Sequence, residues 1–419
     1  MIIHCNFFTQ NNEIQMHFPD IDFFIKTHIT KRPKSLLQQD LECNQKELTK
    51  NIQGKSMLVI GGAGTIGAHF IKAALKYNPA KLYVIDHDEN GLTELVRDIR
   101  STKDCKVPNV FITYPLNFND PIFEKIVLQE APFHIIANFA AHKHVRSEKD
   151  HFSIEAMLNN NLIHAQHLLD VLVKHKPEHF FCVSTDKAAN PVNVMGASKK
   201  MMEELILSYA SDFKITTARF ANVAFSNGSL LFGFMQRLMK KQPLSVPSNI
   251  KRYFVSPTEA GELCLLACIL GKTGDIFFPK LQENQLTYFS DITKDFLKYI
   301  GYTCDVCSTE EEAKQKASLL NDKSIAYPVY FFNSDTSGEK EYEEFYTGEE
   351  KLDMHSFKTL GKISNTIFPE KKGIAFNIQT IQNILNDKNV KKEEIVNTIK
   401  LLLPGFKHIE TGKSLDQKM

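Results

Sequence analysis

Residues 57–86 read MLVIGGAGTIGAHFIKAALKYNPAKLYVID. Met57 to Ile60 is a short apolar run of the kind buried in a parallel sheet, and GGAGTIG (61–67) follows at once. Ile66, Phe70, Ala74 and Tyr77 then recur at helical spacing. Leu82 to Ile85 is a second apolar run, and it ends in Asp86. Strand, glycine turn, helix and strand make a complete βαβ unit in which each part has a task. Gly61 permits the tight turn, Gly64 lets the backbone approach a pyrophosphate, and Gly67 lets the helix sit close on the strand. The first turn of the helix, opening at Thr65 and Ile66, offers unpaired N–H groups to the phosphates. Asp86 is placed to accept hydrogen bonds from an adenosine ribose. A carboxylate there repels a 2′-phosphate, and the next residue is His87, not Arg, so NAD is expected over NADP.

Outward from this unit, apolar runs and amphipathic stretches alternate. Strands are expected at 109–113, 134–137, 179–183 and 215–220, with helices at 121–128 and 154–173 between them. The alternation predicts an α/β fold: a Rossmann-type doubly wound parallel sheet at 54–225. Past Phe220 the pattern changes, and a smaller α/β substrate-binding domain, interleaved with the first, is expected at 226–350. Within it, 334–351 is too polar for a core and reads as a surface loop or lid. Residues 1–53 and 351–419 read as terminal extensions, the first partly and the second mostly helical.

Composition excludes several classes. Lys+Arg number 50 against 49 Asp+Glu, so no global field draws the chain to nucleic acid or to a membrane surface. No apolar run reaches the ~20 residues that span a bilayer. The N-terminus lacks a basic n-region, so no signal peptide is expected. Eight scattered cysteines suit a reducing cytoplasm, with Cys182 and Cys264 as buried thiols. Cys304-x-x-Cys307 has no second pair, and His142 and His144 have no third ligand at metal spacing, so no metal site is expected.

The stretch 181–204, FCVSTDKAANPVNVMGASKKMMEE, carries the chemistry. Ser184, Thr185, Asp186 and Lys187 stand together at a strand end, and Lys199 follows in the first turns of a helix. A hydroxyl, a carboxylate and two ammonium groups in that setting form a candidate proton-transfer site. Ala140 and Ala141, just past another strand end, suit close passage of a cofactor.

Further segments accompany these: NFAAHKHV (138–145), STDKAANPVNVMGASK (184–199), RFANV (219–223), RYF (252–254) and SGEKEYEE (337–344). In this order, over roughly residues 50–350, the chain resembles the nucleotide-sugar 4,6-dehydratases of bacterial polysaccharide biosynthesis, extended short-chain dehydrogenase/reductases. The resemblance implies 4,6-dehydration of UDP-N-acetylglucosamine with a tightly held, recycled NAD. By the same likeness Thr185 bonds the C4 oxygen, Asp186 protonates the leaving hydroxyl and Lys187 is the base at C5, while Lys199 binds the nicotinamide ribose. Cofactor contacts are implied at Gly61, Gly64, Thr65, Ile66, Gly67, Asp86, Asn117, Ala140, Ala141 and Lys199. The sugar nucleotide is implied at Lys143, His144, Asn222, Ser229, Arg252 and Glu339, and a homo-oligomer is expected.

Three departures stand out. Met195 replaces the superfamily's usual tyrosine four residues before Lys199, and the resemblance implies that Asp186, directly or through water, takes the C4-hydroxyl proton in its place. The segment 146–149 is polar where better-known members are apolar, and Thr336-Ser337 stands where they commonly have Arg-Pro. Long relatives also carry N-terminal membrane helices that residues 1–50 do not supply. A 4-epimerase, a 4-keto reductase and a non-catalytic dinucleotide sensor are the competing readings. None of the three has an evident need for Asp186 and Lys187 together.

Overall fold

Six strands with helices between them run from Ser56 to Ala218: β1 (Ser56–Ile60), β2 (Lys81–Asp86), β3 (Val110–Pro115), β4 (Ile135–Asn138), β5 (His179–Val183) and β6 (Lys214–Ala218). All pair in parallel in the order β3-β2-β1-β4-β5-β6. β1, β4 and β5 are buried along their whole length, which is why they read as apolar runs broken only at an end, by Ser56, Asn138 and His179. The order reverses between β1 and β4, and a doubly wound sheet opens its ligand crevice at such a switch point, beyond the carboxyl ends of the strands. The structure is a computed structural model that describes residues 19–103, 105–365 and 367–413.

The sheet does not stop at β6. β7 (Asp275–Pro279) adds in parallel beside it, and β9 (Leu360–Ser364) and β8 (Leu352–Asp353) follow antiparallel, giving nine strands. The region after 350 therefore begins with a strand pair that completes the first sheet before the helices Lys371–Leu385 and Lys392–Leu402. Helix Pro257–Leu270 also belongs to this layer, where it packs on helix Thr65–Leu75. A Cβ at Gly261 would lie 2.4 Å from the His69 carbonyl carbon, so glycine sets how closely the two helices approach.

The smaller layer is a three-stranded parallel sheet of Leu244–Pro247, Ala326–Phe332 and Thr303–Cys307, with Ala326–Phe332 central. Leu244, Val246, Phe234, Phe296, Tyr327 and Val329 form its separate core. Cys304 and Cys307 lie on its edge strand, and all the described cysteines are free. Cys182 and Cys264 are buried, as apolar runs require, whereas Cys5 lies outside the described residues.

The N-terminal extension is part of both bodies. Phe24, Ile25 and Ile29 enter the small core, while Leu37, Leu48 and Ile52 enter the large one. Between them Arg32 grips Glu259 through two hydrogen bonds of 2.9 and 2.8 Å. Asp40 accepts the Lys358 and Thr359 N–H groups at 2.7 and 2.8 Å. Among the described residues, no helix is long and apolar enough to cross a membrane.

Candidate active site

A cavity of about 870 Å³ lies between the carboxyl ends of β4 and β5 and the small layer. Its near wall is Ile66, in the first turn of helix Thr65–Leu75, with the segments that follow β4 and β5, and its far wall comes from helix Leu230–Met239 and the strands around Leu244 and Phe332.

The glycine turn fits a dinucleotide. Gly61 has φ +74°, and a Cβ there would lie 2.5 Å from Ala140 N. A Cβ at Gly67 would lie 2.5 Å from Gly61 O, so helix and strand touch through bare backbone. At Gly64 a Cβ would meet only Gly61 O, at 3.4 Å, so that face is open for a ligand. Gly64 is also the N-cap of helix Thr65–Leu75 and gives it no side-chain cap, leaving first-turn N–H groups for an anion. Asp86 is buried beside the turn. Its Oδ2 accepts Ala63 N–H at 3.0 Å and its Oδ1 accepts Asp88 N–H at 3.1 Å, so it braces the turn as well as ending β2. Thr65 Oγ1 accepts Asn227 N–H at 2.9 Å and ties the turn to the substrate-side loop. Ile66, Ala141 and Lys199 line the cavity, Ala140 sits against Gly61, and Asn117 occupies an exposed turn beyond β3, away from the cavity wall.

The proton-transfer residues converge where β5 ends. Thr185 Oγ1 donates to Asp186 Oδ1 at 2.9 Å, and Lys187 Nζ donates to the same oxygen at 3.0 Å. The Asp186 side chain is 4% exposed and that of Lys187 17%. Asn193 caps the next helix by accepting Gly196 N–H at 2.7 Å, which sets Met195 in the cavity wall. Lys199 Nζ donates to Val183 O at 2.6 Å, pinning the helix to β5. Burial pulls the Lys199 ammonium pKa down, against the opposing pull of Cys182 and Glu203.

The substrate side is more constrained than the sequence suggests. Lys143, His144, Asn222, Ser229, Arg252 and Glu339 all line the cavity. Lys143 Nζ donates to Asn227 O at 3.2 Å, and Ser229 caps helix Leu230–Met239 by accepting Phe232 N–H at 3.2 Å. Burial lowers the pKa of both Lys143 and His144. Arg252 is buried rather than on the surface, and its Nη1 is committed to the Lys340 and Glu341 carbonyls at 3.0 and 2.8 Å. Its Nη2 reaches Glu339 at 3.4 Å, while Glu339 also accepts from Ser334 and from Thr336. Arg252 and Glu339 thus organise the polar segment 334–351 and leave less donor capacity for a diphosphate. That segment is irregular, but Thr336, Glu343 and Phe345 are buried, so it is a wall of the cavity and not only a surface loop.

Several contributors carry no sequence signal of their own. Arg219, within the quoted RFANV, is wholly buried and grips Glu203 and Glu350. Glu203 accepts Ser184 Oγ at 2.6 Å, linking the network to β5. The C-terminal segment threads past the site: Ile409 N–H meets Val192 O at 2.9 Å, and Gly338 N–H meets Ile409 O at 2.9 Å. His408 contacts Glu148, whose other oxygen accepts Val194 N–H at 2.5 Å.

A family model described as "Polysaccharide biosynthesis protein" matches residues 57–364. A chain of Methanocaldococcus jannaschii named "Uncharacterized membrane protein MJ1061" is 30% identical over 81% of this chain and 98% of its own. The capsular polysaccharide biosynthesis protein CapD of Staphylococcus aureus is 27% identical over 78% of this chain and 53% of its own, so this chain spans about half the length of that relative. Among solved structures, Pen from Bacillus thuringiensis aligns with a TM-score of 0.61 at 20% identity, over 84% of this chain and 98% of that one. DesIV, a dTDP-glucose 4,6-dehydratase of Streptomyces venezuelae solved with NAD, aligns at 0.51 and 18% identity, over 70% and 89%. The two structures agree with this one in fold.

Proposed function

Because the chain belongs to the polysaccharide biosynthesis protein family, we propose that it is a nucleotide-sugar 4,6-dehydratase, a hydro-lyase acting on a UDP-activated N-acetylhexosamine such as UDP-N-acetylglucosamine. The observation that carries this reading is the convergence of Thr185 and Lys187 on one buried oxygen of Asp186, beside Met195. An acid and a base held together suit removal of water across C5–C6.

The open face at Gly64 and the uncapped helix behind it fit NAD, which when bound would accept the C4 hydride and give it back at C6. The chain's own groups move the protons. Thr185 holds the C4 oxygen, and Asp186 takes the hydroxyl proton that the absent tyrosine would otherwise remove. Lys187 then takes the C5 proton as Asp186 returns its proton to the departing 6-hydroxyl. Lys199, buried and lowered in pKa, biases these transfers electrostatically. On the far wall, Arg237 Nε and Ser245 Oγ are buried without a hydrogen-bond partner among the described residues, in the cavity that Phe254, Phe289 and Phe332 also line. Free donors and aromatic rings in one cavity suit a nucleobase that carries carbonyl acceptors.

Incubation of the purified protein with UDP-N-acetylglucosamine should give a product lighter by one water. No change with any UDP- or GDP-sugar would refute the reading. Asp186→Asn and Lys187→Ala should each lower turnover by about 100- to 10,000-fold while leaving bound NAD in place; normal turnover in either would overturn its role.

A further inference from the structure

Three ionisable groups, not two, meet at the reacting end of the cavity. Glu343 arrives on the segment that follows the Gly338 turn. Its side chain is 4% exposed, and its carboxylate stands 3.9 Å from the Lys187 ammonium. The same ammonium meets Asp186 at 3.0 Å, so Lys187 lies between two carboxyl groups. The other charged groups that act on Glu343 are Arg252 and Lys340. Both are engaged elsewhere, Arg252 with main-chain carbonyls and Lys340 with Asn190 O at 2.7 Å. Burial pushes the Glu343 carboxyl above its ordinary pKa; Lys187 pulls it down and Asp186 pushes it up again.

On the dehydration reading proposed above, elimination sets a proton count that Asp186 and Lys187 cannot meet alone. Asp186 must begin as a carboxylate to take the C4-hydroxyl proton, and Lys187 must begin as an amine to take the proton at C5. An ammonium beside a carboxylate carries one proton too many. We propose that Glu343 holds that proton, acting through Lys187 as the positioning residue that sets its charge. One Lys187 N–H bond breaks and one Glu343 O–H bond forms, so an ammonium and a carboxylate become an amine and a carboxylic acid. No electrons change hands, and the net charge of the pair stays at zero. When the sugar displaces water, a buried neutral pair costs less than a buried ion pair, so substrate binding drives the transfer in the required direction. The wall segment 334–351, which carries Glu343, thereby couples substrate binding to activation of the base.

The test compares the NAD-loaded wild type with Glu343→Gln, which keeps the side chain's size but cannot take the proton. Product mass from the wild type with UDP-N-acetylglucosamine tests the dehydratase reading by itself. For Glu343, infrared spectra with the sugar nucleotide bound should show a protonated-carboxyl band in the wild type that is missing from the variant. Turnover of Glu343→Gln should fall about 100-fold at neutral pH and recover as the pH is raised. An unchanged band, or a loss of turnover that is the same at every pH, would overturn the assignment. A missing band in the variant with no dehydrated product from the wild type would leave Glu343 assigned and refute the reaction.

Discussion

Arg219 has no exposed surface, and its guanidinium is divided between Glu203 at 2.7 Å and Glu350 at 2.8 Å. Burial alone would lower its pKa, and the two carboxylates outweigh that and raise it. The partner effect on Glu203 runs the other way: burial would raise its pKa, and Arg219 overrides burial and lowers it. A carboxyl held below its unfolded value stabilises the protein above that value and loses the contribution as pH falls through the folded one. Thermal unfolding measured against pH should therefore show wild-type stability declining below about pH 4.5, with a shallower decline in Glu203→Gln. Arg219→Ala strands two carboxylates and should cost about 3–5 kcal/mol in denaturant unfolding.

Single elements divide by how local their causes are. Helix 392–402 ends in a segment whose backbone bridges Val192 on the catalytic side and Gly338 on the substrate side. Removing residues 404–419 should lower turnover at least tenfold while NAD stays bound, because the start of helix Val194–Leu207 loses its brace. His408→Ala leaves Glu148 without one partner and should cost about 1–3 kcal/mol, read by denaturant unfolding. β5 was legible to the residue, because a strand buried on both faces reads as a near-continuous apolar run, here Phe180–Val183 after His179. The glycine turn was legible too, because only glycine satisfies φ +74° at Gly61 with Ala140 so near. β9 was not, since LGKIS buries Lys362 against Asp275 at 2.9 Å and so breaks the apolar run. Nor was the role of Glu343. The quoted SGEKEYEE contains it, but its burial and its closeness to Lys187 arise from long-range packing. The C-terminal brace was not legible, since its two bridging bonds at Ile409 come from the main chain and the His408–Glu148 contact joins residues far apart in sequence.

At the scale of the molecule, two cores are held in register by segments distant in sequence. Residues 19–52 place Phe24 in the small core and Leu48 in the large one, with the Arg32–Glu259 pair between. Phe24→Ala should destabilise by about 3–5 kcal/mol, and if the extension couples the two bodies it should also weaken binding of the sugar nucleotide. The cavity between the cores is lined from one side by Asp186, Lys187 and Lys199 and from the other by Arg237 and Ser245. In the proposed reaction, hydrogen removed from C4 returns at C6 with loss of the 6-hydroxyl. The direct test uses UDP-N-acetylglucosamine deuterated at C4, with the product read by mass and NMR. The product should be lighter by one water with deuterium at C6, whereas full-mass product with deuterium still at C4 would contradict the dehydratase reading.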